Sequence, residues 1–165
     1  MTAARAARPT MRAVIWTAVA VFLIDQISKY WVVHILQLDR RREIDVLPGW
    51  LHFRMAWNQG INFGLFAGEG WTRWLLIALA LAIAGWVWRW MARSRPGRWA
   101  QISAGLLIGG ALGNVVDRLV YGAVADFLNM GFPGFDNPYS FNVADIAIFA
   151  GAAGLVLFTG DAKPR

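Results

Sequence analysis

The chain has 165 residues, 58% of them hydrophobic and 16% charged, with a mean hydropathy of +0.44; a soluble domain carries about 25% charged residues. The apolar residues fall in long blocks, so the chain reads as an integral membrane protein of one domain, residues 1–165, and not as a soluble fold. The net charge of +6 gathers at the ends of those blocks, which fits membrane topology and not a nucleic-acid surface. The absence of cysteine excludes a disulfide, a thiol nucleophile, a thiolate metal site and a lipid-bearing cysteine.

The first apolar block, residues 13–36, follows Arg5, Arg8 and Arg12. It is too long for the core of a signal peptide, lacks a clear A-x-A site and contains Asp25 and Lys29, so a retained helix is expected. Asp25 and Lys29 are four apart and share one helix face. They are either an internal ion pair that survives at membrane depth or a pair that supports a site inside the bundle.

Residues 37–70 leave the membrane. In "WLHFRMAW", Leu51, Phe53, Met55 and Trp57 fall on one face of a strand, after the turn signal Pro48-Gly49. A small sheet on the membrane surface follows, with its apolar face expected against lipid. "NQGINFG" then sets Asn58 and Asn62 among glycines, either as a plain loop or as a polar tip folded over a site.

The second block, residues 71–91, and the third, residues 99–119, are joined by a link rich in arginine: Arg89, Arg93, Arg95 and Arg98. The third block carries Gly105, Gly109 and Gly113 at every fourth position, a small-residue stripe that admits another helix closely. Beside it Gly110, Asn114 and Arg118 form a second stripe. Asn114 and Arg118 are suited to hold a peptide carbonyl, or else serve as interhelical glue and an interfacial cation. Asp117 lies about 100° around the helix from Arg118 and points toward a neighbour such as Lys29. Residues 120–140 are expected to hold a loop, with the Gly/Pro-rich run "GFPGFDNPYS", and a loop or short helix is expected at the outer membrane face. The fourth block, residues 141–159, opens "FNVAD".

The expected fold is therefore an all-α membrane protein of four transmembrane helices with a small extracytoplasmic β-sheet element. Four spans put the N-terminal arginines, the arginine-rich link and Lys163 and Arg165 on one side, the cytoplasm by the positive-inside rule. Arg40, Arg41 and Arg42 count against this, although Asp39, Glu43 and Asp45 surround them.

Asp126 follows the third span and Asp145 opens the fourth, so a hairpin between them brings both to the outer mouth of the bundle. Two such acids are unrelated surface charges, a cation site, or a pair sharing one proton. A shared proton supplies one general base for water and one general acid for a carbonyl. Ser28 and Lys29 are adjacent and point apart, and His34 and His52 lack a nucleophile partner, so no Ser–Lys or Ser–His arrangement competes.

"DQISK", "NQGINFG", "GGALGNVVDRL", "VADF" and "FNVAD" occur in this order across almost the whole span from the first helix to the fourth. The set resembles lipoprotein signal peptidase (signal peptidase II), the bacterial membrane aspartic protease family. The resemblance implies catalytic Asp126 and Asp145. It places Asn58, Gly110, Asn114, Arg118, Asn142 and Ala144 around them, at positions that contact substrate or the cyclic peptide globomycin. Asp25 and Asp117 fall on further family positions, where the resemblance implies support. It implies cleavage of prolipoproteins before a diacylglyceryl-modified cysteine at the outer face of the inner membrane, with membrane lipids as surroundings and no metal or cofactor. A monomer with both termini in the cytoplasm is expected. The rivals are a four-helix proton-coupled transporter, which would use an acid at mid-membrane such as Asp25, and a non-enzymatic assembly factor.

Overall fold

The computed structural model describes residues 10–60, 70–132, 134–135 and 137–159. Arg5, Arg8, Asn62, Lys163 and Arg165 lie outside the described residues.

Helix α1 (Arg12–Tyr30) runs on through a π-helical turn (Trp31–Ile35) into a short helix α2 (Leu38–Arg41). A hairpin follows, β1 (Glu43–Leu47) and β2 (Leu51–Asn58). Pro48 and Gly49 make its turn: Gly49 has φ +79° and the Trp50 N–H donates to Leu47 O at 2.9 Å, as a type II turn requires. Helices α3 (Gly70–Ser94) and α4 (Arg98–Tyr121) are joined by three residues. Pro96 cannot continue α3, and Gly122, in the left-handed region, ends α4 by donating its N–H to Arg118 O. Strand β3 (Val124–Met130) and helix α5 (Val143–Thr159) complete the chain.

Among the described residues, three helical stretches are long and apolar enough to cross a bilayer: Arg12–Ile35, Gly70–Ser94 and Arg98–Tyr121. The fourth, α5, is apolar but shorter, with 17 residues. Helix α4 is the axis of the bundle. Its most apolar window is 72% buried against 22% in α1 and α3, and α1, α3 and α5 all pack on it. The glycine stripe is the reason. A Cβ on Gly105 or Gly109 would sit within 2.7 Å of a backbone oxygen of α1, from Val14 and Ala18 respectively. On the other side, a Cβ on Gly110 would lie 2.5 Å from Ala144 O of α5.

The sheet has order β1-β2-β3, antiparallel throughout. It departs from two expectations. Residues 124–130 form a strand and not a loop; Val124, Ala125, Asp126 and Phe127 are all buried, so both faces are covered and no period of two is visible in the sequence. The apolar face of β2 does not lie on lipid either. Met55 and Phe53 pack against Val32, Val33, Leu38 and Phe127, a second core that ties the sheet to the end of α1. The short helix beside the sheet is α2, in residues 37–70.

Candidate active site

The site forms where β3, the start of α5 and the ends of α1 and α4 meet. Asp126 is buried in β3, with Ala56 of β2 opposite it. Asn58, at the end of β2 and not in a loop, donates its Nδ2 to Asp126 Oδ2 at 3.1 Å. Asp145 stands in the first turn of α5 and is partly exposed.

Asn142 connects the two acids. It is fully buried and donates Nδ2 to Asp126 Oδ1 at 2.6 Å. Its Oδ1 accepts the Asp145 N–H at 2.8 Å, while its own backbone N–H donates to Asp145 Oδ2 at 3.3 Å. Residues 142–145 are thus a reciprocal capping box in which Asp145 takes the place usually held by glutamate. The signal is present in the sequence, an Asn three residues before an Asp at the head of an apolar run.

Asn114 donates Nδ2 to Asp145 Oδ1 at 2.9 Å. Its Oδ1 accepts from Asn142 Nδ2 at 3.3 Å and from Lys29 Nζ at 3.2 Å. Asp145 therefore receives donors on both oxygens, and Asn114 orients an acid where a peptide carbonyl was the expected partner. Burial first, and then the charge of Asp145, push the Asp126 carboxyl up to about 7, although the bonds from Asn58 and Asn142 oppose this.

Behind the pair lies an ion triad. Lys29 Nζ is 2.8 Å from Asp25 Oδ2 and 2.8 Å from Asp117 Oδ2, and all three residues are buried. Asp25 Oδ1 accepts the Ala144 N–H at 2.9 Å, and Asp117 Oδ2 accepts the Ala125 N–H at 3.1 Å. Each triad acid therefore holds the backbone amide of the residue just before Asp145 or Asp126. Asp25, the acid a transporter would use, is committed to this brace. Gln26, which the sequence reading passed over, bonds Asp25 at 3.1 Å and Asp117 at 3.0 Å.

Arg118 is partly buried, and its Nη2 donates to Gly60 O at 3.4 Å. Its Nε has no partner among the described residues. With Asn114 it opens into a groove of about 480 Å³ whose further walls are apolar, among them Leu76, Leu79, Ile83 and Leu107. Ala144 is fully buried, with its carbonyl oxygen against Gly110. All the described candidates are thus gathered at one end of the bundle. Outside the site, His34 bonds the Tyr121 hydroxyl at 3.1 Å, and His52 pairs across the hairpin with Asp45 at 2.5 Å.

The chain is similar to known proteins in fold and in sequence. A solved chain described as a bacterial membrane enzyme has the same fold, with a TM-score of 0.79 at 24% identity, covering 96% of each chain. The lipoprotein signal peptidase of Rhodopseudomonas palustris is 41% identical over 148 residues, 84% of this chain and 85% of its own. That of Methylobacterium sp. is 40% identical over 156 residues, 90% and 93% of the two chains, and that of Xanthomonas euvesicatoria pv. vesicatoria is 37% identical over 155, 92% and 88%. The model of the signal peptidase (SPase) II family matches residues 17–159, nearly every residue described above, and the chain belongs to that family.

Proposed function

We propose that the chain is an aspartic endopeptidase that removes signal peptides from prolipoproteins, cutting on the amino side of the diacylglyceryl-modified cysteine. The observation that carries this reading is Asn142, which binds Asp126 and Asp145 at once and makes one unit of two acids from different elements.

The pair shares one proton, held on buried Asp126. Asp145, with donors on both oxygens, is the carboxylate. It accepts a proton from water as the water oxygen attacks the scissile carbonyl carbon. Asp126 gives its proton to the carbonyl oxygen, which forms a neutral tetrahedral diol. Collapse returns one hydroxyl proton to Asp126, and Asp145 passes its proton to the leaving nitrogen as the C–N bond breaks. Arg118 and Asn114 line the approach to the pair, and the apolar groove beside them suits a lipid-borne substrate.

In this reading α5 is a fourth span. Its 17 residues rise about 26 Å, close to a hydrocarbon core of about 30 Å, and Phe149, Val156 and Leu157 are exposed as lipid-facing residues would be. The chain is a single protease domain and works as a monomer in the bacterial cytoplasmic membrane. Both termini lie inside and the acid pair at the outer face, where globomycin-type cyclic peptides would compete with substrate. The test is incubation of the purified chain with a diacylglyceryl-prolipoprotein and mass spectrometry of the products. A new N-terminus at the lipidated cysteine is expected; an uncut precursor, or a cut elsewhere, contradicts the proposal.

A further inference from the structure

At the end of the bundle away from the acid pair, a groove of about 460 Å³ runs between α1 and α4. Arg12 opens α1 and Arg98 opens α4, and both line it together with Thr10, Ala13, Trp16 and Ile102. Both arginines are exposed, and neither meets a carboxylate among the described residues. The first acid above Arg12 on α1 is Asp25, about 20 Å further along the helix. The first above Arg98 on α4 is Asp117, about 28 Å further.

The lower wall is different in kind. Trp16 is 69% exposed and Ile102 lies beside it. One turn above Ile102 the two helices close, where a Cβ on Gly105 would meet Val14 O at 2.7 Å. Gln101 and Thr17 also line the groove; Gln101 is buried and donates its Nε2 to Pro96 O at 3.0 Å. The groove thus has at its mouth two cations that meet no carboxylate among the described residues, with Trp16 and Ile102 below them, and Trp16 is exposed beside it. Interfacial tryptophans mark the level of lipid headgroups.

We infer that this groove holds one anionic phospholipid, with its phosphodiester between Arg12 and Arg98 and an acyl chain across Trp16 and Ile102. Basic pockets between transmembrane helices recognise such headgroups. Two arginines at the mouth favour a headgroup of net negative charge over one whose phosphate is balanced by its own cation. A soluble anion would use the arginines but leave Trp16 and Ile102 uncovered.

The experiment is native mass spectrometry of the purified protein titrated with phosphatidylglycerol, phosphatidylcholine or inorganic phosphate. Phosphatidylglycerol should bind more tightly than phosphatidylcholine, and inorganic phosphate at equal concentration should not displace it. Each arginine near a headgroup accounts for about a fivefold change in affinity, so Arg12→Gln with Arg98→Gln should weaken phosphatidylglycerol about thirtyfold. The control is Arg89→Gln with Arg93→Gln. It removes the same charge from a second arginine pair, on α3 beside Trp86 and Trp90, and should leave the affinity within about twofold. Equal losses in the two double variants would show diffuse attraction to a basic surface and overturn the site. Displacement by phosphate, or equal binding of the two lipids by the unaltered protein, would overturn it without recourse to any variant.

Discussion

Asn142 turns two distant acids into one chemical unit, and its type follows from what it must do. One amide supplies a donor for Asp126 and an acceptor for the Asp145 N–H; an aspartate there could not donate and a serine could not span both. Asp126 has an ordinary value of 3.8 and is held at about 7 in the fold. Between those values the folded chain keeps a proton that the unfolded chain has lost, so this group makes stability fall as pH rises through that window. Asp126→Asn cannot titrate and should flatten that part of the profile, giving a protein more resistant to heat than the unaltered chain at pH 8. Melting curves in detergent from pH 4 to 8 test this; parallel profiles for the two proteins would place the Asp126 titration elsewhere. Much at this scale was legible in the sequence. The candidate residues are polar groups in blocks where lipid is the alternative surrounding, and such groups need partners. Which partner each one takes was not legible. Asn114 faces Asp145 because α5 packs one Cβ-width from Gly110, a distance that no spacing along the chain reveals.

At the scale of elements, four helices were readable from apolar runs. Strand β3 was not. It runs between two covering layers, so its buried residues show no alternation, and "VADFLNM" resembles a loop when read alone. The helices are joined to the strand by charge. Lys29 of α1 pairs with both Asp25 and Asp117, which in turn hold the backbone at Ala144 of α5 and Ala125 of β3. Lys29→Met keeps the length of the side chain but leaves two buried acids without a cation. Breaking a buried ion pair from one side costs about 3–5 kcal/mol. The variant should therefore melt well below the unaltered protein in the same detergent, with loss of peptidase activity; an unchanged melting temperature would mean that the acids need no cation and that the brace carries no load.

For the whole molecule, the proposed function makes the bundle, the sheet and the acid pair one device that meets a substrate where lipid ends. The second core anchors the sheet to α1, so the sheet stands as a fixed wall beside Asp126. A diacylated cysteine keeps its chains in the bilayer, each buried CH₂ contributing about 0.8 kcal/mol of anchoring, and so fixes the depth of the scissile bond. A misplacement of about 1 Å is enough to lose about a hundredfold in rate. A precursor without diacylglycerol should accordingly be cut at least about a hundredfold more slowly in the same detergent, and equal rates on gels would show that peptide sequence alone is recognised. The most direct test of the account is the turnover of a lipidated precursor by purified Asp126→Asn and Asp145→Asn, each first shown to be folded by its melting curve. An amide keeps the shape and much of the hydrogen bonding but cannot exchange the proton. Both variants should lose at least about a thousandfold in rate. Turnover by either one within about tenfold of the unaltered enzyme would contradict a mechanism in which these two carboxyl groups share the acid and base work.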